Sequence, residues 1–107
     1  MKEVIRNYLR ASFPVPLEDA ELAEIVDAFG VSFRSAADEL RAMPPSDFGG
    51  IRRVTHAIKG FAANVGVDAL SSAAAALNAS AHAADSAACA LGVRDIVAMY
   101  DAFAAEP

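Results

Sequence analysis

Val54-Thr55-His56-Ala57-Ile58-Lys59-Gly60-Phe61-Ala62-Ala63-Asn64-Val65-Gly66 is the stretch from which the rest of the chain can be read. At about 100° per residue on a helix, Ile51, Val54, Ile58, Phe61, Ala62 and Val65 share one face, with Phe61 and Ala62 at its two edges. His56 falls on the opposite face with Arg52, Lys59, Gly60 and Ala63, at the three- and four-residue spacings of helical neighbours. One helix should therefore bury an aliphatic stripe and show solvent an imidazole beside cations. Gly60 is the anomaly, because a mid-helix glycine costs about 1 kcal/mol relative to alanine and no core position demands it. It strips the surface one turn after His56, leaving room for a phosphate-sized group, with Lys59 supplying positive charge at the same spot.

His56-Ala57-Ile58-Lys59-Gly60, then Ala62 and Ala63, then Val65-Gly66, resembles the H-x-[LI]-K-G-[SA]-[SA]-x-x-[LV]-G signature of histidine phosphotransfer (HPt) domains. The likeness covers about 25 residues, with Leu70, Ala74 and Leu77 falling where that family has apolar positions on the next helix. Phe61 stands where a small residue, often Ser, is usual. Asn78 stands where a Glu or Gln often hydrogen-bonds the histidine.

The totals agree with a helical body. The chain has 107 residues, 55 % of them apolar and 21 % charged, which fits one compact domain over 1–107 and argues against disorder. Much of the apolar content is alanine, which favours helix and buries little area, so a thin, Ala-lined core of close-packed helices is expected. A net charge of −5 disfavours nucleic acid, which is bound through clustered Lys and Arg. The lone Cys89 cannot form an internal disulfide and reads as a small buried residue. No signal-like or membrane-spanning apolar run is present, so the chain reads as cytoplasmic and soluble.

Taken in order, Met1–Ser12 places Val4, Ile5, Tyr8 and Leu9 on one side of a short amphipathic helix, which ends before Phe13-Pro14-Val15-Pro16. Leu22, Ile25, Val26, Phe29, Phe33, Ala37 and Leu40 make the stripe of one long helix, Glu18–Ala42; the alternative is a break at Gly30. Pro44-Pro45-Ser46-Asp47 stops it, and Ser46 or Asp47 can cap a helix extending through about Val65. Gly66 reads as its left-handed C-terminal cap. A helix beginning at Asp68 and reaching about His82 turns Leu70, Ala73, Ala74 and Leu77 inward. Asp85-Ser86 caps a last helix striped by Cys89, Val93, Ile96, Val97, Tyr100 and Phe103. The fold class is all-α: an antiparallel up-down-up-down four-helix bundle with a short additional N-terminal helix.

A histidine in water titrates near pH 6.5, so it is mostly neutral near pH 7 and one ring nitrogen is free to attack phosphorus. The resemblance implies His56 as phosphoacceptor through Nε2, Lys59 as the charge that stabilises the phosphoryl oxygens, and Gly60 as steric access. Asn78 either orients Nδ1–H or is a polar surface residue. Arg52 and Arg53 either meet acidic groups of a partner or are simply solvated, and Ala63 belongs to the same docking face. Phe61 either fills the core or reaches the rim. His82 lacks such companions. No metal-ligand spacing or nucleotide loop occurs.

The partners implied by the resemblance are response-regulator receiver domains and a hybrid sensor histidine kinase, the receiver supplying Mg²⁺ and this chain no cofactor of its own. Two further classes compete with a free-standing relay protein. An HPt-like module that binds a receiver or kinase without being phosphorylated has no need of an exposed His56-Lys59-Gly60 set. A homodimerising bundle would show a surplus apolar stripe, and none is evident, so a monomer is expected.

Overall fold

The computed structural model describes residues Met1–Pro107. Five helices follow one another without a strand: α1 (Lys2–Ser12), α2 (Asp19–Ala42), α3 (Phe48–Asn64), α4 (Asp68–His82) and α5 (Ser86–Ala105). α2 packs on α3 and α5, and α4 packs on the same two, so the four long helices close an antiparallel ring joined by short turns. α3 and α4 form the most intimate pair. Fully buried Ala62 and Ala74 carry nothing beyond Cβ, so they let these two backbones approach closely. The expected bundle with its extra N-terminal helix is what forms.

Three of the helices, α2, α3 and α5, begin where the sequence offers a side-chain cap. Glu21 Oε1 accepts the Glu18 N–H at 3.0 Å ahead of α2, Asp47 accepts from Gly50 at 3.1 Å ahead of α3, and Asp85 accepts from Ala88 at 3.0 Å ahead of α5. Such side chains satisfy amides that the first turn leaves unpaired. Of the two candidate caps for α3, Asp47 is the one used. α2 runs unbroken through Gly30, because the ring of Phe103 on α5 lies against that position: a Cβ there would sit 3.2 Å from Phe103 Cε1.

The stripes drawn from the sequence are buried with few exceptions. Leu22, Val26, Phe29, Phe33, Ala37 and Leu40 of α2 join Ile51, Val54, Ile58 and Ala62 of α3, Leu70, Ala74 and Leu77 of α4, and Cys89, Ile96 and Phe103 of α5. Ile25, Ala73, Val93, Val97 and Tyr100 are only half-buried. Phe29 and Phe33 centre an aromatic cluster with Phe61, Tyr100 and Phe103, and Phe29 meets Phe61 edge-on at 5.6 Å between centroids, a favoured geometry for ring quadrupoles. Phe61 itself is half-buried. It therefore does both things expected of it, reaching the core with its ring while forming part of the rim between α2 and α3. Burial raises the Cys89 thiol pKa, and the Asp85 carboxylate adds to the effect.

α1 forms as the short amphipathic helix expected, and only part of its apolar side is covered. Ile5 and Leu9 are buried, but Val4 and Tyr8 of the same apolar side stay 50 % and 42 % exposed. A helix laid across the end of a bundle contacts it along one narrow line, so half of a wide apolar face remains outside. The N-terminal ammonium meets Glu106 Oε1 at 2.9 Å, and the Lys2 ammonium donates to the Glu106 carbonyl at 2.9 Å. The ammonium hydrogen bond is the main reason the Glu106 carboxyl lies below the usual carboxylate range. No helix is long and apolar enough to cross a membrane.

Two helix ends share one turn geometry and differ in its cost. After α3, the Val67 N–H donates to Ala62 O at 3.0 Å and Gly66 to Ala63 O at 3.2 Å, with Gly66 at φ 73°. After α4, Asp85 donates to Ser80 O at 3.1 Å and Ala84 to Ala81 O at 3.0 Å, with Ala84 at φ 54°. Both are Schellman closures, whose left-handed residue is normally glycine. Tyr8 also packs directly on the Gly66 backbone where a Cβ would stand. Substitutions at the two positions should therefore act with opposite signs. Gly66→Ala should destabilise by about 2 kcal/mol or more, from the left-handed backbone and the overlap with Tyr8. Ala84→Gly should stabilise by about 0.5 kcal/mol, since relief of the left-handed cost exceeds the added unfolded-state entropy. Urea midpoints read both; equal shifts would refute the assignment.

Candidate functional site

α3 sets the site through its register. Its inward stripe of Ile51, Val54, Ile58 and Ala62 is at most 2 % exposed, which turns Arg52, His56, Lys59, Gly60 and Ala63 to solvent; all five are exposed. The grouping drawn from the sequence is thus one continuous outer face. A Cβ built on Gly60 meets nothing within 4 Å, so this glycine answers no packing demand from the protein itself.

His56 opens onto a shallow depression between α3 and α4 that it shares with Gly49, Arg52, Arg53 and Asn78, none of them apolar. Asn78 is thereby brought beside His56 from the neighbouring helix. Its hydrogen bond goes elsewhere, however: the Thr55 hydroxyl donates to the Arg52 carbonyl at 3.0 Å and meets Asn78 Oδ1 at 3.3 Å. No direct hydrogen bond joins Asn78 to His56 in this arrangement. Lys59 and Gly60, one turn further along α3, do not line the depression.

The cations divide by use. Arg6, Arg10, Arg34 and Arg41 are held by Glu3, Asp38 or Asp101, and Arg53 reaches Glu39 of α2 at 3.0 Å. Arg52 and Lys59, one turn to either side of His56, form no ion pair. In a chain of net charge −5, positive charge is left uncommitted where the imidazole is exposed. Exposed pairs such as Arg53 with Glu39 contribute little stability, about 0–1 kcal/mol, so Arg53 can exchange its partner at small cost.

The apolar side of α1 stands apart from the imidazole: Tyr8 packs at Gly66, ten residues and about 15 Å of helix rise from His56. Thr55 is the residue that the sequence reading did not single out. It is 0 % exposed, the only polar residue buried as a whole, and it ties α3 to Asn78. Its angular position, about 20° beyond Ala62 at the edge of the buried stripe, was the available signal. No group of three or more His, Cys, Asp or Glu side chains that could hold a metal ion occurs.

The family model described as "Hpt domain" matches residues 19–106, from the start of α2 to the residue after α5. No curated protein and no solved structure matches the chain.

Because Gly60 touches nothing, its stability effect should be that of an exposed helix position. Gly60→Ala should raise stability by about 0.5–1 kcal/mol, the propensity difference, measured by urea titration; a loss of stability would show that the glycine serves packing.

Proposed function

This chain belongs to the Hpt domain family, and from that premise we propose that it carries a phosphoryl group on His56 between the aspartates of response-regulator receiver domains. The observation that carries the reading is the pairing of an exposed imidazole with bare helix surface at Gly60 and unpaired cations at Arg52 and Lys59. A surface selected only for solubility has no use for a glycine that costs helix stability at that point.

The chemistry follows from one ring. In the neutral imidazole with its proton on Nδ1, the Nε2 lone pair attacks the phosphorus of an aspartyl phosphate. The N–P bond forms as the P–O bond to the aspartate breaks, and the carboxylate leaves with the electron pair. The ring becomes cationic as it is phosphorylated, so an acceptor for Nδ1–H is worth more in the product than in the free site. Asn78 is the nearest amide that could fill that role. Lys59 and Arg52 offset charge on the three phosphoryl oxygens, as positioned cations do in phosphoryl transfer generally. Transfer onward reverses the step on a second receiver.

The receiver partner supplies Mg²⁺ and most of the catalytic groups, and a hybrid sensor kinase is the source of the phosphoryl group. Arg52, Arg53 and Ala63 lie on the face that the partner covers, acting in the cytoplasm on a monomer. A docking partner must approach Nε2 within bonding distance, which the flat surface at Gly60 and Ala63 permits.

Incubation with a phosphorylated receiver domain carrying labelled phosphate tests this. The expected product is acid-labile, base-stable label, absent in His56→Gln and reduced about tenfold or more in Gly60→Leu, whose side chain would stand in the approach path. Label that persists in His56→Gln would overturn the assignment. Tight receiver binding without any label would favour an unphosphorylated adaptor.

A further inference from the structure

Thr55 has one hydroxyl proton and two neighbours able to accept it. Its Oγ1 is 3.0 Å from the Arg52 carbonyl and 3.3 Å from Asn78 Oδ1. The shorter contact is the ordinary bond of a helical threonine to the carbonyl one turn back. With the proton committed there, two acceptors face each other across the longer contact. A half-turn of the Asn78 amide exchanges its oxygen for an NH₂ of similar size, so that Nδ2–H donates to Thr55 Oγ1 and Oδ1 is released for another donor; Asn78 and His56 line the same depression.

We propose that Thr55 is a positioning residue: its buried hydroxyl orients the Asn78 amide with the oxygen toward His56, and this sets the His56 tautomer. An oxygen facing the ring accepts Nδ1–H and leaves the Nε2 lone pair outward. The opposite orientation presents NH₂ to the ring, which donates to Nδ1 and places the proton on Nε2, where it blocks attack. A threonine on the hidden face of α3 thereby selects the reactive form of a histidine on the exposed face. The proposal rests on His56 being the phosphoacceptor for its functional meaning, but the tautomer is measurable without any phosphoryl donor.

The burial of Thr55 makes this control firm. At 0 % exposure its hydroxyl has no water to turn to, so a partner lost from the site is not replaced by solvent. Asn78 is half-exposed, and without Thr55 its amide would turn freely between its two orientations.

The test is long-range ¹H–¹⁵N correlation of the imidazoles in uniformly labelled protein, at a pH where both are neutral, with exposed His82 as internal reference. The ratio of Nδ1–H to Nε2–H tautomer at His56 should exceed that at His82 by about fivefold, the bias that one net hydrogen bond supports. Thr55→Val should bring it down to the His82 value and Thr55→Ser should preserve it. Asn78→Ala should match Thr55→Val, with no further fall in the double variant. A ratio unmoved by Thr55→Val, or one favouring Nε2–H in the unaltered protein, would overturn the proposal. Phosphoryl acceptance from a labelled receiver should slow in Thr55→Val and recover in Thr55→Ser. If the tautomer shifts as expected but the unaltered protein takes no label, the phosphoacceptor reading fails and the Thr55 control stands; label with an unmoved tautomer sinks the Thr55 control alone.

Discussion

Everything at the site depends on the rotational setting of α3. A helix of this bundle has one buried stripe, and in α3 it holds Ile51, Val54 and Ile58, all at most 2 % exposed. Burying each is worth about 1.5–3 kcal/mol. Turning the helix by a single position would forfeit most of that and push Arg52 or His56 toward the core, so the register is locked by several kilocalories per mole. The same constraint that hides three aliphatic residues fixes His56, Lys59 and Gly60 on the outside. Close packing of α3 on α4 then brings Asn78 into the depression that the imidazole lines. Exposure of the histidine is thus a consequence of core packing on the opposite face.

Charge follows the same division. Most arginines are engaged with acidic neighbours on their own or an adjacent helix, and Arg41 bridges α2 to α5 through Asp101 at 2.6 Å. These pairs leave the acidic surface without a general basic patch. Arg52 and Lys59 remain unpaired within a turn of His56, so the local field is positive where the overall charge is negative. Arg94 of α5 is also without an ion pair, but Arg52 and Lys59 are the free cations placed to draw an anion to the imidazole.

The helices and the outer face of α3 were legible because both rest on periodicity, and periodic apolar residues report burial directly. Gly66 was legible for a different reason: a left-handed helix end has a strong residue preference. Ala84 adopts the same backbone without that signature, and so its turn could be placed but its left-handed residue could not. Thr55 escaped notice because a polar letter just beyond the edge of an aliphatic stripe reads as solvent-facing, whereas here it is buried and bonded to Arg52 and Asn78. Val4, Ile5, Tyr8 and Leu9 were legible as one apolar side of α1, but the breadth of an apolar face does not say how much of it the end of a bundle can cover. The identity of Asn78's partner lay beyond the sequence, since helix faces fix which residues come near one another and not which atoms bond.

The most direct test of the account needs no protein partner. Phosphorylation by phosphoramidate, a small donor that any exposed imidazole can meet, followed by ³¹P and ¹⁵N NMR of the intact protein, compares His56 with His82, which is also exposed. The account predicts a phosphoramidate on Nε2 of His56, formed several times faster than any product at His82, because only His56 has flanking free cations and an amide for its second nitrogen. Equal modification of the two histidines, or attachment at Nδ1 of His56, would contradict it.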